Sequence, residues 1–159
     1  MRMTIPLFIA AVFAAPSLWA QDAFDACEVF TQADAEAALG TTAAPEPVNP
    51  KVKRNPKAPI PTCKYDGFKD GKTVAAIVTF KSGKAESEVQ KAFDEHRLAV
   101  QTKPMLISGA EAFWSGKTGQ MNLRKGKTWI QLSVGVEKVT DRDPDQAKKL
   151  AMILERKIQ

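Results

Sequence analysis

The first twenty residues constrain this chain more than any later stretch, because they set its compartment and with it the chemistry of its two cysteines. Arg2 supplies a short positive region, Ile5 to Ala15 (IPLFIAAVFAA) an apolar run, and Ser17-Leu18-Trp19-Ala20 ends on a small residue before Gln21-Asp22. This layout predicts a secretory signal peptide over residues 1–20, removed after Ala20, and hence a periplasmic or secreted protein. A membrane anchor would need a longer uninterrupted span, and Pro6, Pro16 and Ser17 break this one. In an oxidising compartment, two cysteines are most simply one disulfide, Cys27 to Cys63. A metal or redox pair would need closer spacing or accompanying histidines.

Residues 21–159 are enough for one domain with a sizeable core. Loss of Arg2 takes the 23 basic residues to 22 against 18 acidic, so the exported chain keeps a net charge of +4. That excess favours acidic partners such as membrane phosphates, acidic glycans or acidic protein faces, and in this compartment argues against nucleic acid. No stable membrane insertion is expected, and the oligomeric state is left open.

Helix and strand signals alternate along the domain. Thr31 with Asp34 three residues on reads as a capping box. Ala35, Ala38 and Leu39 follow at helical spacing, and Gly40 is placed as the stop. Residues 43–61 contain six prolines and the cations Lys51, Lys53, Arg54 and Lys57, which predicts an extended surface loop strapped by the disulfide. Such a loop is either simply solvated or a basic arm for an acidic partner. Asp70-Gly71 between two period-two segments, Lys64 to Phe68 and Thr73 to Phe80, marks a hairpin with a type I′ turn.

A helix is expected over Ala85 to Val100, with Val89, Ala92, Phe93, His96, Ala99 and Val100 on its buried stripe. Strands follow at Glu111 to Ser115, Gln120 to Arg124 and Thr128 to Val136. Asp143-Pro144 then caps a last helix that buries Ala147, Leu150, Ala151, Leu154 and Ile158. Its other side is mostly basic, with Lys148, Lys149, Arg156 and Lys157. The order α-ββ-α-βββ-α predicts a single α+β domain, an antiparallel sheet of about five strands packed by three helices.

Catalytic patterns are weak. Gly-Lys-Thr occurs at 71–73, 116–118 and 126–128, but the glycine that a phosphate loop needs five residues earlier is replaced by Asp66, Glu111 and Met121. His96 is the only histidine and sits on an apolar stripe, which reads as a packed or hydrogen-bonded ring. There is no Gly-x-Ser-x-Gly elbow. Glu111 and Asp66 could pair as acid and base only if the fold joined them. No catalytic residue, metal or cofactor is expected, and the protein is read as a non-enzyme. Trp129 falls on the polar side of an alternating strand, so either a helix covers it or it is an exposed contact residue.

Five stretches together resemble a broad group of exported bacterial proteins and lipoproteins of unassigned function with a PsbP-like α+β fold. They are Cys27-Glu28-Val29-Phe30-Thr31 through Ala38-Leu39-Gly40; Cys63-Lys64-Tyr65; Gly109-Ala110-Glu111-Ala112-Phe113-Trp114; Leu123-Arg124-Lys125-Gly126 leading into Ile130 to Val136; and the alanine-containing last helix. The resemblance implies a non-catalytic accessory or protein-binding role. Members of the group typically carry a lipidated cysteine, whereas Cys27 lies seven residues past Ala20. The function expected is therefore an accessory or binding protein for an acidic partner, contacted through Lys51, Lys53, Arg54, Lys57 and Trp129. The alternatives are a carrier of a small apolar ligand between sheet and helix, or a hydrolase.

Overall fold

A computed structural model describes residues 25–45 and 61–158. Residues 1–24, which include the expected signal peptide, residues 46–60, with Lys51, Lys53, Arg54 and Lys57, and Gln159 lie outside the described residues. Within them the chain is α+β. Helices α1 (Ala26–Val29) and α2 (Gln32–Leu39) come first, then strands β1 (Ala43–Pro45), β2 (Thr62–Lys69) and β3 (Lys72–Ser82). Helix α3 (Glu86–Ala99) leads into β4 (Thr102–Ile107), β5 (Ala110–Ser115), β6 (Gln120–Lys125) and β7 (Thr128–Val136), and α4 (Pro144–Glu155) ends the fold. The strands form one antiparallel sheet in the order β1-β2-β3-β7-β6-β5-β4.

Local chemistry explains the best-formed elements. Asp34 accepts from the Thr31 N–H at 2.8 Å while the Thr31 hydroxyl accepts from the Asp34 N–H, and Gly40 closes α2 at φ +67°. The β2–β3 turn has both central residues at positive φ, Asp70 at 50° and Gly71 at 77°, as a type I′ turn requires. Replacing Gly71 with Ala should therefore cost about 1–2 kcal/mol in denaturant unfolding, because an L side chain is strained there although nothing lies within reach of it. An unchanged midpoint would mean that the turn relaxes at no cost. Asp143 caps α4 and Pro144 opens it, as the sequence predicts.

Among the described residues the sheet has seven strands where about five were expected, and there are four α-helices where three were expected. Each addition is a short or edge element. Ala43–Pro45, expected as the start of an irregular loop, instead pairs with Gly67 to Tyr65 on β2. Thr102–Ile107, read as a punctuated exit from α3, forms β4 at the opposite edge, where Pro104 removes no needed donor. α1 is a single turn, capped by the Asp25 carboxylate on the Cys27 N–H.

One face of the sheet carries the main core. Val74, Ala76, Val78, Met121, Leu123, Ile130, Leu132 and Val134 meet Leu39 of α2 and Leu150 and Leu154 of α4. Phe30 seals the end next to α1, edge-on to Tyr65 at 5.1 Å. The Cys27–Cys63 disulfide is formed and ties α1 to β2. The opposite face bears a smaller cluster, Val89 and Phe93 of α3 on Phe113 and Trp129.

Candidate functional site

Strand pairing dictates what the second face displays. Opposite Trp129 lie Lys81 and Arg124, opposite Gln131 lie Thr79 and Asn122, and opposite Ser133 and Gly135 lie Ile77 and Ala75. α3 covers only the Trp129 end. Toward β2 the face stays open as a groove of about 840 Å³, floored by Ala75, Ile77, Ser133 and Gly135. Gly135, at φ +110°, adopts a conformation that L side chains rarely take.

The groove is walled by charge. Lys64, Lys72, Lys138 and Arg142 face Asp66, Glu137 and Asp141 around it. Lys64 pairs with Asp66 at 3.1 Å and Lys138 with Asp141 at 3.1 Å. The Lys138 ammonium and the Thr140 hydroxyl hold the Asp141 carboxyl below its ordinary range. Arg142 is committed to the carbonyls of Val136, Gly119 and Glu137, so it braces the groove end as a donor fork.

Under α3 the face is aromatic and polar together. Trp129 is only 5 % exposed, so a helix does cover it and it is not a surface contact residue. Phe93 stands edge-on to its indole at 5.9 Å, His96 lies tilted against it at 5.2 Å, and Lys81 Nζ lies 4.0 Å from the ring centroid. Burial keeps the Lys81 ammonium below its ordinary pKa. Nearby, Arg124 is buried against Glu111 at 2.5 Å and Glu86 at 3.2 Å.

The structure separates residues that a hydrolase would have to join. Asp66 on β2 and Glu111 on β5 are four strand spacings apart across the sheet, about 19 Å, and are further offset along it, Asp66 lying in register with Gly135 of β7 and Glu111 with Trp129. Glu111 is bound to Arg124 and Asp66 to Lys64. The charge His96 senses is the cation Lys81. The three Gly-Lys-Thr stretches begin in hairpin turns and lead toward strands. Among the described residues no three His, Cys, Asp or Glu side chains gather as metal ligands, and no helix is long and apolar enough to cross a membrane.

The basic face expected on α4 is partly consumed within the fold. Lys157 Nζ bonds Asp34 at 2.5 Å and the Val29 carbonyl at 3.2 Å, pinning the end of α4 to α2. Burial pushes the Asp34 carboxyl up, but Lys157 and the Thr31 donors outweigh it and hold the pKa below its ordinary value. Lys149 and Arg156 remain exposed. Comparison with protein-family models, with curated proteins and with solved structures returns no match.

Proposed function

We propose that the protein is a non-catalytic accessory or binding protein of the periplasm or the extracellular medium, and that it holds an acidic partner. The observation that carries this reading is the half-covered second face: an open groove with an apolar floor, four cations and three carboxylates. An extended segment can lay apolar groups on Ala75 and Ile77 and an acidic group toward Lys72. The resemblance to exported proteins with a PsbP-like fold fits the same reading, and the basic stretch Lys51 to Lys57 adjoins β2 in sequence. A carrier of an apolar ligand between sheet and helix is less favoured, since Val89, Phe93, Phe113 and Trp129 fill that space under α3.

A photo-crosslinking residue at Ile77 tests this directly. In envelope extract at low salt it should give an adduct of defined mass, one that fades at about 1 M salt, where the screening length falls to roughly 3 Å. Reversing Lys72 and Lys138 to Glu should weaken the adduct while leaving thermal stability nearly unchanged. Reversal of Lys53 and Arg54 separately reports whether the 43–61 segment contributes. No adduct, or an equal one from a probe on the solvent side of α3 at Leu98, would remove the groove from consideration.

A further inference from the structure

Beneath α3 runs a chain of hydrogen bonds whose direction is fixed at one end. Trp129 Nε1–H donates to Asn122 Oδ1 at 3.0 Å, Gln131 Nε2–H donates to the same oxygen at 3.2 Å, and Gln131 Nε2 also lies 3.4 Å from His96 Nε2. An indole nitrogen can only donate. The Asn122 oxygen must therefore face Trp129, and the Gln131 nitrogen must face that oxygen. The second hydrogen of the Gln131 amide is then available to His96, whose Nε2 must accept it. Only a neutral imidazole with its proton on Nδ1 can do so. Turning either amide sets donor against donor or acceptor against acceptor. The pinning leaves a trace: Asn122 is fully buried, yet its Nδ2 has no partner among the described residues.

The charges around the ring do not offset a proton there. From β3 comes Lys81, a cation. From β6 comes Arg124, which occupies Glu111 of β5 and Glu86 of α3. On α3 itself Asp94 is paired with Arg97, and Glu95 with Lys91. Strand β7 presents only uncharged residues on this side, Trp129, Gln131, Ser133 and Gly135. Besides His96, the polar ties of α3 to the sheet are Glu86 on Arg124 at 3.2 Å and Gln90 on Glu111 at 3.3 Å. Of its residues Val89 and Phe93 alone are buried, and Ala85 at its N-terminus offers no side-chain cap.

We propose that α3 is an acid-released latch, held on the sheet by neutral His96 and loosened when that ring is protonated. Protonation puts a hydrogen on Nε2, so that N–H meets N–H at Gln131 beside the Lys81 ammonium. Burial first, and Lys81 second, hold the imidazole below its ordinary 6.5. The sign follows. The docked helix favours the neutral ring, so its contribution is complete above 6.5 and is lost as pH falls from there through the folded value. In that window the opening of α3 rises by up to about tenfold per pH unit. This holds whatever the groove binds.

As the chain has one histidine, its imidazole C–H resonances titrate without ambiguity. They should report a value below 6.5 in the folded protein. Amide exchange in α3, corrected for intrinsic rate, should quicken as pH falls through that value while α4 stays protected. In His96→Gln, whose amide can accept from Gln131 at any pH, the acid response of α3 should vanish. Trp129→Phe removes the donor that pins Asn122 and lets both amides turn, so its His96 should titrate higher than in the parent. The latch is overturned by titration at or above 6.5 in the parent protein, or by α3 protection that stays constant relative to α4 between about pH 7.5 and about pH 5. An acid response that survives His96→Gln, or an unmoved titration in Trp129→Phe, overturns it equally.

Discussion

Shortening Leu154 to Ala should lower the unfolding free energy by about 2–5 kcal/mol, with a fall in Tm of roughly 3 °C for each kcal/mol. The side chain is fully buried, on the face of α4 that packs against β6, β7 and α2. It is flanked along that face by Ala147, Leu150 and Ala151, each without exposed surface, so few neighbours can move in to fill the space. The helix cannot simply shift away. Its far end is tied by Lys157 to Asp34 and to Val29, and Lys125 holds the Glu155 carboxylate at 2.8 Å and its carbonyl at 3.1 Å. Met152 on the same helix is 44 % exposed, and its replacement by Ala should stay within about half a kcal/mol. A Leu154→Ala loss as small as that of Met152→Ala would mean that α4 is not docked on the sheet.

The elements legible in the sequence are those whose own residues enforce them. Thr31, Asp34 and Gly40 bound α2 through caps that need no tertiary partner. Asp70-Gly71 sets the hairpin through positive φ, and β7 alternates because one face meets the core while the other meets α3. The strands that went unread take their stability from neighbours. β4 has only one partner, β5, and its exposed Leu106 and interior Pro104 show no alternation that would mark a strand. β1 is three residues ending in proline, and α1 is one turn held by Asp25, Phe30 and the disulfide. For α3 the periodicity is real, but Ala92 and Ala99 of its expected stripe are exposed, because the helix meets the sheet through Val89, Phe93 and His96.

The same division applies to the site. Once β6 and β7 are joined by a two-residue turn at Gly126, counting back places Asn122 opposite Gln131, so half of the polar chain is implicit in the sequence. That His96 would reach Gln131 depends on where α3 crosses, which no local signal encodes. The groove is harder still to read. Its openness arises because α3 runs from β3 to β4, the far edge of the sheet, and leaves the β2 side uncovered. From sequence alone, apolar residues on both faces of β3 suggest cover on both, whereas Ala75 and Ile77 are only half covered.

Removing the disulfide should be the other large effect. Replacing Cys27 with Ala is the cleaner change, since Cys27 is exposed while Cys63 is buried among core residues, where truncation would also open space. The bond spans 36 positions, and in the chain-entropy model closing such a loop restricts the unfolded chain by up to about 4 kcal/mol; an observed loss of roughly 2–4 kcal/mol is expected. The effect should fall on the unfolded state, because α2 keeps its capping box, its packing on α4 and the Lys157–Asp34 pair in the variant. Denaturant midpoints should therefore drop while the spectrum of the folded protein stays close to that of the parent. Protein purified without reductant should be lighter than its reduced form by two hydrogens, and alkylation without reductant should label neither cysteine. A loss under about 1 kcal/mol, with both thiols blocked in the parent, would show that the contacts of α1 and α2 already confine this stretch of the unfolded chain.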